Sequence, residues 1–317
     1  MIGKTVREGA ARTTAAAKRA GQARLADIAE TPGLMRLIEC LVRLAGGWLI
    51  SGAVIFGSYA PFTAGFVAVS GGGMGGLAAL IGVLAGSLMS GGVDMAIKYS
   101  AAALLIFTAN MALKGLKIAE RRWFVPLIAA VMVACTGGVY VANGGWKLSD
   151  IVFCLMEVVL AGGSAYFYAA AFSEAENPEQ EHQKMISIGA AACTLLIALS
   201  DITIFGLISL GRVLAVIAVL AAACKGGAPA AAVVGIAFGT AMDAAAGSLP
   251  FFCAALGIAG VAAGLFAGSN RIVGAVVYII VNAVAVVWFG GGELALASLY
   301  ETFIASVALY CCRNVCC

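Results

Sequence analysis

The sequence predicts an all-α, polytopic integral membrane bundle of about 10–12 transmembrane helices, with both termini cytoplasmic. Three observations carry this. The 317 residues are 62% hydrophobic and only 11% charged, with a mean hydropathy of +1.03, whereas soluble domains run near 25% charged. Apolar runs of bilayer-crossing length, about 20 residues, recur along the chain. Runs such as "VLAVIAVLAAAC" are apolar on every face, which excludes the in–out alternation of a β-barrel. Finally, the basic residues fall on one side once the spans are laid out.

Residues 1–43 are the hydrophilic leader. "GKTVREGAARTTAAAKRAGQARLADIAE" is rich in alanine and arginine and suits a basic helix resting on anionic lipid, each Lys or Arg contributing about 1 kcal/mol. Glu8, Asp27 and Glu30 argue against an organelle transit peptide. The membrane domain is expected over 44–312, with spans near 44–59, 61–72, 73–92, 95–113, 123–142, 150–172, 185–200, 202–223, 229–247, 250–268, 272–289 and 294–311. Pro61 and Gly71–Gly73 break the stretch 60–90, so it could cross once or twice. Two crossings place all the basic residues inside except Lys98, Lys147 and Arg212, and the positive-inside rule selects that arrangement.

The loop "SEAENPEQEHQK" carries Glu174, Glu176, Glu179, Glu181 and the lone histidine, His182, and reads as solvated rather than metal-binding. The tail, 313–317, completes a "CCRNVCC" end. Cys311, Cys312, Cys316 and Cys317 lack CxxC spacing, and the ten cysteines fit a reduced chain. No metal or cofactor is expected.

Gly72, Gly76, Gly82 and Gly86, and again Gly260, Gly264 and Gly268, recur at spacings of four or near it. Such spacing stacks small residues on one helix face and predicts close helix packing in lipid, and with it a homo-oligomer. "APFTAGFVAVSGGG" and "GGAPAAAVVGIAFG" each put a proline, Pro61 and Pro229, at the entry of a glycine-bearing segment. Paired broken helices of this kind mark substrate sites in transporters; prolines at first helical positions are the plainer alternative.

Charges near the bilayer centre cost on the order of 3 kcal/mol each and require partners. Glu157, Arg212 and Glu301 are expected at similar depth, about 10–15 Å below the outer surface. They are read as one structural network, with the guanidinium fork shared between two carboxylates. Asp243 lacks an obvious partner, and with Pro61 and Pro229 it forms the alternative, a transport site of a small-solute permease. On this reading Arg212→Ala destabilises the protein more than Asp243→Ala. The chain contains no GxSxG, HExxH, GxxxxGK[ST] or CxxC, and it is read as non-enzymatic.

"LASLYETFIASVALYCC" resembles the closing span of the membrane region of stage II sporulation protein E, where a Leu-Tyr-Glu-x-x-Ile-Ala run precedes the cytoplasmic part. "YAPFTAGFVAV", "DIVFCLMEVVLAGG" and "LGRVLAVIAVLAAA" are similar to other segments of that region. The likeness covers residues 40–312; Glu157, Arg212 and Glu301 match positions in the family pattern and Asp243 does not. The resemblance implies a membrane anchor and localisation or assembly module. It would hold a metal-dependent serine phosphatase at the asymmetric septum, near division-ring proteins, to activate the forespore sigma factor. The phosphatase part would lie beyond Cys317, so the chain is expected to be a fragment or a membrane-only relative, and phosphatase activity is not assigned to these residues.

Overall fold

The computed structural model describes residues 32–90, 92–117, 119, 121–173, 177–204, 206, 208–247, 251–268, 270–290 and 292–311. The leader before residue 32, Glu174, Glu176 and the tail cysteines Cys312, Cys316 and Cys317 lie outside these residues.

In lipid every backbone N–H and C=O needs a partner within the chain, and a run of apolar residues meets that need as helix. The elements are α1 (Pro32–Ser51), α2 (Phe62–Ser70), α3 (Met74–Ser90), α4 (Val93–Ala112), α5 (Phe124–Asn143), α6 (Leu148–Phe172) and α7 (Pro178–Ser200). They continue with β1 (Thr203–Ile204), β2 (Ile208–Ser209), α8 (Leu210–Ala246), α9 (Phe252–Ala267), α10 (Arg271–Gly290) and α11 (Gly292–Cys311). Six of these helices, α4, α5, α6, α7, α8 and α10, are long and apolar enough to cross a membrane; α3, α9 and residues 296–309 are shorter apolar helices. The protein is an all-α polytopic bundle.

Two expectations shift. The first helix starts at Pro32, inside the expected leader, and ends at Ser51. Residues 52–61 then form a turn closed by an Ile55↔Tyr59 bridge, with Phe56 at φ 51° and Gly57 at φ 69°. The segment 202–209, expected to open a span, is instead a small antiparallel hairpin pairing Ile204 with Ile208. The two spans expected on either side of residues 224–228 are the two limbs of α8, which meet at Gly227 (φ 67°, ψ −158°). Hydropathy does not separate an apolar turn from the helix it leads into.

Gly227 reverses the chain. Gly260 of α9 faces both Val219 and Ala231, which a straight helix would hold about 18 Å apart. Arg212 lies over the Phe252 ring, while Gly235 and Gly239 face Leu256 and Cys253. The limb before Gly227 therefore runs parallel to α9 and the limb after it antiparallel. Gly71 (φ 75°, ψ −170°) does the same between α2 and α3. Gly46 faces Phe66 and Arg43 Nη1 reaches the Ser70 carbonyl at 2.9 Å, whereas Gly82 faces Leu44.

Both helical hairpins have their mouths at one face of the bundle, where Gly247 meets Phe56 and Gly57. Their tips lie at the opposite, basic face: Gly72 abuts Asn110 and Met111, just before the segment holding Lys114, Lys117, Arg121 and Arg122. Two hydrophobic cores fill the bundle. One runs from Ala64 to Ala165; the other is built mainly between Leu196 and Ala305.

The predicted packing glycines divide. Gly82 and Gly86 meet Leu44, Trp48 and Ser51 of α1; Gly72 meets α4; Gly260 and Gly264 meet α8. Gly76 instead abuts the Gly71 carbonyl of its own turn, and nothing approaches Gly268. A side chain at Gly264 would collide with the backbone of Ala228. Gly264→Val is therefore expected to cost about 1–3 kcal/mol, as overpacking does, and Gly268→Val less than about 0.5 kcal/mol. Equal loss of thermal stability in detergent would remove this distinction.

Candidate functional site

The intramembrane charges form two separate clasps at the mouth face. In the first, Glu157 of α6 is fully buried. Lys98 Nζ of α4 lies 2.5 Å from its Oε2, and the Tyr99 hydroxyl donates to its Oε1. Lys98 stands 5.3–5.7 Å from the ring centres of Tyr59, Tyr99 and Tyr140, so its ammonium is held by π faces as well as by charge. Beside the pair is a cavity of about 320 Å³, bordered by Ser58, Asp94, Asp150 and Cys154.

In the second clasp, Glu301 of α11 is 2% exposed and accepts the Ser209 amide at 2.8 Å, at the mouth of the second hairpin. Arg212 Nε lies 3.0 Å from Glu301 Oε1. That N–H is not aimed along the contact, so the pair is a single-point electrostatic one rather than a fork. Ser209 Oγ accepts the Arg212 amide and caps α8.

These placements correct two expectations. Glu157 does not join Arg212 and Glu301; its cation is Lys98, which the span layout had put near the outer end of a span, facing out. Nor is Arg212 mid-span, since the residues before Ser209 are a hairpin and Arg212 sits in the first turn of α8. A signal was available: Lys98–Tyr99 lies one to two helical turns past Gly92, the Ncap of α4, within reach of an inward-running carboxylate.

Asp243 is also corrected. It is buried, and its carboxylate accepts the backbone amides of Phe251 and Phe252 through Oδ1 at 2.9 and 2.7 Å and of Cys253 through Oδ2 at 2.8 Å. These are orphan donors at the start of α9, and a carboxylate there is favoured by the helix dipole. Pro61 is the Ncap residue of α2 at the mouth face. Pro229 follows Gly227 at the tip of the second hairpin, in the first turn of the returning limb, where no helical hydrogen bond is lost. Asp243 and Pro229 are about 21 Å apart along that limb. Pro229 is thus not brought to Asp243.

Among the described residues no group of three or more His, Cys, Asp or Glu side chains is arranged to hold a metal ion. Comparison with known protein families, curated proteins and solved structures finds no match.

Proposed function

We propose that this chain is a membrane anchor and assembly module, of the kind found in stage II sporulation protein E, that positions a cytoplasmic serine phosphatase at the asymmetric septum. The observation that carries the reading is the state of the membrane carboxylates. Glu157, Glu301 and Asp243 are each held by partners within the chain. Groups that move ions or protons must exchange partners, whereas these serve as joints between helices. The order of the motifs "YAPFTAGF", "LMEVV", "LGRVL" and "LYETFIA" along the chain supports the sporulation assignment. The basic face, with Lys114, Lys117, Arg121, Arg122 and Arg271, is taken as cytoplasmic by the positive-inside rule, and both termini follow it there. Homo-oligomers and division-ring proteins are the partners this role implies.

A fluorescent fusion of residues 1–317 in a sporulating, endospore-forming bacterium tests the assignment. Concentration at the polar septum is the expected result. Uniform membrane fluorescence would sink the septal role. Thermal stabilisation by one small solute from a metabolite panel would instead favour a permease.

A further inference from the structure

We infer that the chain is two tandem copies of one six-segment unit, and that the second copy has opened a site for an acyl chain of an anionic phospholipid where the first is closed. The inference rests on the membrane reading but not on the sporulation reading.

The equivalence begins at the turns. Ile-Phe-Gly stands at 55–57 and again at 204–206. The first isoleucine pairs with Tyr59 and the second with Ile208, each four residues on, and both glycines sit at φ 69°. Each turn leads into a helix that reverses at a glycine of nearly the same conformation, Gly71 (75°, −170°) and Gly227 (67°, −158°). A returning limb and three more helices follow in each copy. The last helix of each brings in a buried glutamate: Glu157 accepts from Tyr99, and Glu301 accepts the amide of Ser209, five residues past the second isoleucine. The core from Ala64 to Ala165 lies within the first copy, and the second copy builds another that also takes in Ala53, Ile55 and Phe62 of the first.

Matching Glu157 to Glu301 aligns α6 with α11. Val159, Gly162 and Gly163 then correspond to Phe303, Ser306 and Val307. In the first copy Gly162 lets α5 close in, since a Cβ there would come within 3.3 Å of Ala130 and 3.4 Å of Pro126. In the second, the bulkier residues hold α10 and α11 apart. Between them lies a groove of about 440 Å³, walled by Ile272, Val276, Ile279, Phe303 and Val307 and ending at Arg271 on the basic face. Several of these walls are open to the surroundings: Ile272 is 54% and Phe303 61% exposed. A hydrocarbon chain fits such a lining without stranding a polar group, and Arg271 at the basic end supplies positive charge for a phosphate.

The test measures binding of phosphatidylglycerol, phosphatidylcholine and inorganic phosphate to the delipidated protein in detergent, by native mass spectrometry and thermal shift. Phosphatidylglycerol is expected to bind at least fivefold more tightly than phosphatidylcholine, and Arg271→Gln to reduce that preference about fivefold, the effect of one basic residue at a lipid surface. Val307→Trp, which fills the groove, and Ser306→Gly/Val307→Gly, which restores the pair of the first copy, should each abolish retained lipid. Equal affinity for the two lipids with no effect of Arg271→Gln would overturn the site. So would full competition by inorganic phosphate, which marks a free-anion site, or a dimer that Val307→Trp dissociates, which marks an interface between copies. Undiminished lipid in the double-glycine variant would overturn the equivalence of α6 and α11.

Discussion

Lys98→Met is expected to destabilise the protein by about 3–5 kcal/mol, the cost of removing one partner from a buried ion pair. Glu157 is fully enclosed, and Lys98 is its one cationic partner among the described residues. Without the ammonium the buried carboxylate keeps only the Tyr99 hydroxyl. The companion variant Lys98→Met/Glu157→Gln removes both charges and retains an acceptor for Tyr99. Replacing a buried pair by uncharged groups of similar size is often near neutral, so the double variant is expected to regain most of the loss. Thermal unfolding in detergent reads both. A Lys98→Met protein as stable as the parent, or a double variant weaker than the single, would show that the clasp is not a joint. Glu301 predicts a milder version of the same experiment, because Arg212 is more exposed, at 22%, and the Ser209 amide remains.

The class of fold was legible because it rests on composition, and composition is what a bilayer selects. The helical hairpins were legible in part. Pro61 with Gly71–Gly73 marked the first reversal, and charge bias chose two crossings over one. The second reversal was legible as the gap between the spans 202–223 and 229–247, and the left-handed φ of Gly227 is what turns the chain there. The Ile-Phe-Gly turns were hidden by their hydropathy: isoleucine and phenylalanine look the same to a span count in a turn or a helix. The pairing of charges was the least legible part. Depth along a span is a one-dimensional quantity, and Glu157, Arg212 and Glu301 agreed in it. Which of them touch depends on helix neighbours, and α6 packs on α2 and α5 while α11 packs on α8 and α10. Lys98 was missed because its place near a span end made water the easier partner to assume. The joint then forms between the fourth and sixth helices, far apart in sequence.

Asp243→Ala is expected to destabilise the protein at least as much as Arg212→Ala, the reverse of the order that the sequence suggests. The sequence shows a lone carboxylate; the fold sets it against three amides at 2.7–2.9 Å. Those amides belong to the first turn of α9 and have no carbonyl of their own helix to bond. Alanine leaves them unsatisfied, and each buried donor without a partner costs about 1–3 kcal/mol. Arg212→Ala leaves a buried carboxylate that still holds the Ser209 amide, and its own position is partly exposed. Asp243→Asn separates capping from charge. Its Oδ1 can still accept from Phe251 and Phe252, but an NH₂ group replaces the acceptor for Cys253, and the negative charge at the helix start is lost. Its stability should fall between the parent and the alanine variant. Melting temperatures of the three proteins in one detergent decide the matter. If Asp243→Ala melts with the parent, the cap carries no weight and Asp243 returns as a candidate for solute contact. If it melts with or below Arg212→Ala, the carboxylate is a structural cap that holds the backbone at the start of α9.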